Sequence, residues 1–286
     1  MIATRSVICF LLLTFGVTWL AAAGIFVAGG VSNLPVYTAG GAAVMLVPAA
    51  AAAVVRRRFH EGFQDAGLRV GKLRYYALTY GLLALWAALA FGLTWTTPLG
   101  RFDPDMPWLR ARLPPEMLAQ VSHRIAAARP WLGLVVLFGP FVNLPFALGE
   151  ELGWRGYLLV RLLPLGTLRA VLLTGTIWGV WHAPFILMGH NYPGHEAAGV
   201  PLMVVWCIVF GWLFGWLFLK SGSVFVAALA HGCLNAFAAS LTLVTADFNP
   251  VLSGATGVVS SGIVAFIAGA LWFCFPPDKA KNSIKE

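Results

Sequence analysis

Apolar stretches long enough to cross a bilayer recur from one end of this chain to the other, and that recurrence limits what it can fold into. A spanning helix needs about 20 mostly apolar residues. Such stretches lie at 6–29, 34–55, 75–97, 131–160, 168–189, 200–219, 223–243 and 254–275. Composition agrees: 59% of the 286 residues are apolar and 10% are charged, against about 25% charged in a soluble domain. So few charges cannot coat a globule in water, which excludes the soluble, disordered and fibrous classes. The expected fold is an all-α polytopic membrane protein of about eight transmembrane helices, one domain over 1–286, with any active site inside the bundle. Four cysteines, Cys9, Cys207, Cys233 and Cys274, sit in apolar runs without a CxxC pair. They read as packing residues, not as a disulfide framework or a zinc knuckle.

The net charge is +8, and its placement matters more than its sum. With eight spans, one side of the membrane holds Arg5, Arg56, Arg57, Arg58, Arg69, Lys72, Arg74, Arg155, Arg161, Arg169, Lys220, Lys279, Lys281 and Lys285. The other side holds Arg101, Arg110, Arg112, Arg124 and Arg129, all in the 98–130 loop, whose 115–128 stretch reads as a surface helix. Basic loop residues favour the cytoplasm, so both termini are expected there. The basic excess is thus assigned to membrane orientation, with lipid and not nucleic acid as the partner. The alanine-rich composition and short loops suggest a multi-pass protein of a prokaryotic plasma membrane. Residues 1–24 also resemble a signal peptide, with Arg5, an apolar core and Leu20-Ala21-Ala22-Ala23-Gly24. The apolar run is longer than a usual signal core, and the stretch is read as the first span, with cleavage left open.

Polar residues inside the apolar stretches carry the functional argument. The fourth stretch contains Gly149-Glu150-Glu151-Leu152-Gly153-Trp154-Arg155-Gly156-Tyr157, the fifth Trp178 and His182, the seventh His231 and Asn235. An ionisable side chain at the bilayer centre costs about 2.5–3.5 kcal/mol on insertion scales, so these groups must face inward and find partners. Glu150, His182 and His231 all fall within about 6 Å of the midpoints of their spans at 1.5 Å per residue. Glu150 and His182 lie on opposite sides of the midplane, a mismatch of about 10 Å that helix tilt can absorb. Trp178 and His182, His231 and Asn235, and Glu151 and Arg155 are each four apart and share helix faces. Glu150 points about 100° away from Glu151. Arg155 can therefore neutralise Glu151 while Glu150 faces the histidines, which makes Glu150 the chemical and Glu151 the structural carboxylate. Gly175-xxx-Gly179 and Gly211-xxx-Gly215 read as close helix-packing sites. His190 and His195 belong to an outer loop and receive no role.

Several hydrolytic designs are excluded. No HExxH occurs, no aspartate lies in a span, and there is no GxSxG or GxSG serine. A carboxylate, two imidazoles and a carboxamide remain, a set that suits amide hydrolysis by an activated water. Glu150, His182 and His231 could alternatively supply three ligands to zinc or another divalent metal, although no cofactor is the favoured reading. A silent immunity or scaffold protein and an ion-coupled transporter are the readings from other classes.

These residues resemble the CAAX-protease and bacteriocin-processing family, to which Rce1-type prenyl endopeptidases belong. Its Glu-Glu-x-x-x-Arg, aromatic-x-x-x-His and His-x-x-x-Asn/Asp motifs correspond to Glu150-Glu151-x-x-x-Arg155, Trp178-x-x-x-His182 and His231-x-x-x-Asn235. Trp154-Arg155-Gly156-Tyr157-Leu158 and Gly67-Leu68-Arg69 are similar as well. Trp178 departs from the commoner phenylalanine. The motif core covers 150–235, and over the first 130 residues the similarity is mainly hydrophobic pattern. The resemblance implies an intramembrane endopeptidase whose substrate is a peptide or protein, lipidated or membrane-anchored. By carry-over, Glu150 would be the general base and His182 its water-orienting partner. His231 and Asn235 would form the oxyanion site, with Glu151, Arg155 and Trp178 in support.

Overall fold

The computed structural model describes residues 4–111, 113 and 115–277. Arg112, Lys279, Lys281 and Lys285, used above to orient the chain, lie outside the described residues. The helices are α1 (Thr4–Val27), α2 (Leu34–Val44), α3 (Val47–Arg58), α4 (Leu73–Thr96), α5 (Pro107–Arg110), α6 (Pro115–Ala128) and α7 (Leu132–Gly153). After a π-helical turn (Trp154–Leu159) come α8 (Val160–Leu162), α9 (Thr167–Trp181), α10 (Ala183–Leu187), α11 (Glu196–Ser221), α12 (Val224–Leu243) and α13 (Val258–Cys274). The sheet among the described residues is one antiparallel pair, β1 (Arg101–Phe102) with β2 (Thr245–Ala246). The protein is an all-α polytopic membrane protein.

Each of the eight expected stretches is helical, but six helical segments among the described residues are long and apolar enough to cross a membrane. Prolines account for two interruptions. Pro48 and Pro184 each lack an N–H and crowd the carbonyl four residues earlier, those of Val44 and Val180. Accordingly α2 gives way to α3 at Met45–Leu46, and α9 ends at Trp181 with His182 as its C-cap. The fourth stretch runs past 160 to Leu165, where Gly166 at φ +97° turns the chain. The eighth is shorter than expected, 17 residues in α13. The surface helix expected at 115–128 is α6.

The core lies around α11 and α12, whose side chains are largely buried. Glycines set the helix spacing. A Cβ on Gly175 would lie 2.7 Å from the Ile208 Cα, and one on Gly179 2.5 Å from the Val204 Cα, so α9 and α11 touch backbone to backbone. Gly149 packs α7 against the Met45 carbonyl, and Gly232 packs α12 against the Pro140 carbonyl. Large apolar side chains such as Leu20, Val142, Phe266 and Phe273 face outward at 70% exposure or more. Lipid contact explains such a surface.

Candidate active site

The close approach of α12 and α3 to α7 decides where the acids point. Gly149 and Gly153 lie on the α7 face that receives α3, which turns Glu150 and Glu151 into the bundle interior, 2% and 0% exposed. Glu150 Oε2 accepts two indole hydrogen bonds, from Trp178 Nε1 at 2.8 Å and Trp154 Nε1 at 3.1 Å. Glu150 Oε1 is left facing His231 Nε2 at 3.9 Å, beyond hydrogen-bond distance.

The structure gives Glu151 more than its expected pairing. Its Oε1 accepts from Arg155 Nη1 at 2.8 Å and lies 2.8 Å from His231 Nδ1. The carboxylate read as structural is thus the one that grips a histidine. Arg155 is sandwiched between Trp178 and Phe214, with ring centroids 4.8 and 5.1 Å from its guanidinium carbon. Glu151 Oε2 and Arg155 Nη2 are buried with no hydrogen-bond partner among the described residues.

Trp178 is the hinge of the arrangement. Its indole lies 5.6 Å from the His182 ring and 5.3 Å from the His231 ring, while its backbone carbonyl is 2.8 Å from His182 Nδ1. A carbonyl only accepts, so Nδ1 carries the proton, and in a neutral ring Nε2 is then the acceptor. Trp178 thereby links Glu150 and His182, which do not hydrogen-bond to each other. Asn235 is half-buried one turn beyond His231, with no hydrogen bond to the cluster among the described residues.

Sequence reading missed several participants. Trp154 lies four residues after Glu150, the same helical spacing that paired Trp178 with His182, so its contact was within reach. Phe214 and Cys207, whose Sγ lies 3.8 Å from His182 Nδ1, carry no such signal on α11. Arg56 is another. The π-helical turn that holds Trp154 and Arg155 widens the helix, and Arg56 Nη2 donates to its Gly156 carbonyl at 2.6 Å. Single π turns concentrate at functional sites.

Among the described residues, no group of three His, Cys, Asp or Glu side chains is arranged to hold a metal ion. Glu150 Oε2 accepts from two indoles and His231 Nδ1 faces Glu151, so of the three-ligand set considered from the sequence the atoms left are Glu150 Oε1 and His231 Nε2, 3.9 Å apart, and His182 Nε2. No curated protein matches the chain. A family model described as type II CAAX prenyl endopeptidase, Rce1-like, matches residues 129–237, a segment that contains every one of the residues above except Arg56. The three motifs lie inside this match, so residues 129–237 are similar to the Rce1-like type II CAAX prenyl endopeptidase model.

Proposed function

We propose that this protein is an intramembrane endopeptidase in which Glu150 activates water to hydrolyse a peptide bond. One observation carries the reading: a buried carboxylate is held through one oxygen by two indole N–H groups, and its other oxygen is turned toward an imidazole. That geometry fixes one oxygen of a general base and leaves the other to meet water. Water bound there gives one hydrogen bond to Glu150 Oε1 and the other to His182 Nε2, which aims its lone pair at the scissile carbonyl carbon. Glu150 takes the water proton as the C–O bond forms. The resulting oxyanion is stabilised by His231 Nε2–H and the Asn235 amide. His231 donates from Nε2 while Nδ1–H holds Glu151, so the ring acts as an imidazolium, and the Glu151 carboxylate supports that charge. Collapse breaks the C–N bond, and Glu150 returns the proton to the leaving amine. Trp178 sets the positions of Glu150 and His182 together.

The proposed steps use side chains and water alone. Activity unchanged after exhaustive chelation is the expected result, and loss restored by one divalent metal would reverse it. The substrate is a peptide or protein with a membrane-borne or lipidated segment.

The decisive experiment compares the membrane proteomes of cells carrying wild-type protein or Glu150→Gln, a change that keeps shape and removes the base. Fragments present only with wild type, and a loss of at least a hundredfold in their formation, are expected. Equal fragment patterns would sink the reading in favour of a scaffold, and ion-coupled uptake into vesicles would favour a transporter.

A further inference from the structure

The arginine triplet that ends α3 divides in two. Arg56 turns inward and is 2% exposed. Its Nη1 reaches the Gly62 carbonyl and Asp65, and Nη2 reaches Gly156. Arg57 and Arg58 turn outward, as do Lys72 and Arg74 at the start of α4. The acids of the intervening loop cannot neutralise them, because Asp65 is bound by Arg56 and Arg161, and Glu61 by Arg161. Among the described residues none of Arg57, Arg58, Lys72 and Arg74 makes an ion pair. At the other end of the bundle Arg101 pairs with Asp103 and Asp247 and Arg129 with Asp105, while Arg110 and Arg124 make no ion pair among the described residues.

The same loop exposes apolar side chains between its cations. Phe63 is 41% exposed, Val70 70% and Leu73 82%. The loop joins two membrane-length helical segments, which fixes its depth at the boundary between headgroups and acyl chains. Its backbone is docked on the α11–α12 turn: Val224 N donates to the Gly67 carbonyl at 2.9 Å and Arg69 Nε to the Gly222 carbonyl at 2.8 Å. The cations therefore stand on a braced platform. Exposed cations interleaved with apolar groups at that depth complement an anionic headgroup with its acyl chain below.

We infer that the α3–α4 loop is a binding surface for anionic phospholipid, with Arg57, Arg58, Lys72 and Arg74 on the headgroup and Phe63, Val70 and Leu73 in the acyl boundary. The ion pairs make it selective by sign: Glu61 and Asp65 are held by Arg56 and Arg161, so neither acid pairs with the four outward cations. Zwitterionic lipid lacks the net charge to match it. The surface stands apart from the hydrolytic reading and does not depend on it.

The test uses the full chain in nanodiscs of phosphatidylcholine with increasing phosphatidylglycerol, reading the thermal midpoint and the lipid retained in native mass spectra. Wild type should retain phosphatidylglycerol preferentially, with a rising midpoint. Arg57→Gln/Arg58→Gln/Lys72→Gln/Arg74→Gln should lose the preference, about fivefold for each charge removed. Its midpoint in phosphatidylcholine alone should match wild type. No preference in wild type, or one that the variant keeps, overturns the proposal. So does inorganic phosphate raising the midpoint equally in phosphatidylcholine, which would make this a site for free anions. If the fourfold variant does not fold, the wild-type preference must fall steeply with added salt; a salt-independent preference is equally fatal.

Discussion

Two indole N–H groups on one carboxylate oxygen are an unusual expenditure of tryptophan, and they explain why an aromatic ring alone does not describe Trp178. Trp178→Phe keeps the ring against His182 and His231 but removes the 2.8 Å donor to Glu150. A hydrogen bond to a charged group contributes about 1.5–3 kcal/mol, so turnover should fall about tenfold or more while the protein stays folded. Product formation measured beside the thermal midpoint checks this, and an unchanged rate would remove Trp178 Nε1 from the site. At Glu151 and Arg155 a double-mutant cycle is the appropriate measurement. Arg155→Met strands a buried carboxylate and should cost about 3 kcal/mol or more. The double variant Arg155→Met/Glu151→Gln should recover much of that loss, since neither charge is then left alone.

At the scale of elements, the π-helical turn and the two glycine pairs do the positioning. Arg56 reaches from α3 to the Gly156 carbonyl and stacks on Tyr157, with its guanidinium carbon 5.2 Å from the ring. Lysine has neither the fork nor the flat face to do both. Arg56→Lys should destabilise the protein by about 2 kcal/mol and speed amide hydrogen exchange selectively across Trp154–Leu159. Exchange that rises uniformly, or not at all, would mean the turn holds itself. Where α9 meets α11, even one methyl is too much. Gly179→Ala should cost about 1–3 kcal/mol by overpacking, seen as a lower unfolding midpoint in the same nanodiscs.

For the whole molecule, orientation and acid response are the accessible tests. The cationic end of the bundle is proposed to face the cytoplasm, so green fluorescent protein fused after residue 286 should fluoresce. A cysteine at position 110 should react with an impermeant maleimide in intact cells. The opposite pattern inverts the topology. Two groups outside the spans set the response to acid. At Asp65 burial raises the carboxyl pKa, but bonds to Arg161 and Arg56 outweigh it and hold it below the usual 3.8. Burial alone lowers His190 from 6.5 to about 4. In both cases the unfolded chain takes up its proton first, so stability is complete above the unfolded pKa and drains away as pH falls. The midpoint should decline between about pH 6.5 and 4, and again below 3.8. His190→Gln should flatten the first decline and Asp65→Asn the second.

Helical class, membrane residence and the identity of the motif residues are local properties, so they were readable from the chain alone. Hydropathy over 20 residues reports a span without reference to neighbours, and the i, i+4 spacing that joins Glu151 to Arg155 is built into the helix. Pro48 and Pro184 were equally visible, yet an apolar count passes over a missing N–H, and both spans were read as unbroken. Span depth pointed to a meeting of Glu150 with the histidines, but which atoms pair across the bundle stayed hidden. Only packing brings His231 to Glu151 across 80 residues of sequence, Trp178 to Glu150 across 28, and Arg56 to Gly156 across 100. Periodicity says which face of a helix a side chain occupies. Which helix meets that face is decided by where glycines let backbones approach, and that is a property of the assembled bundle.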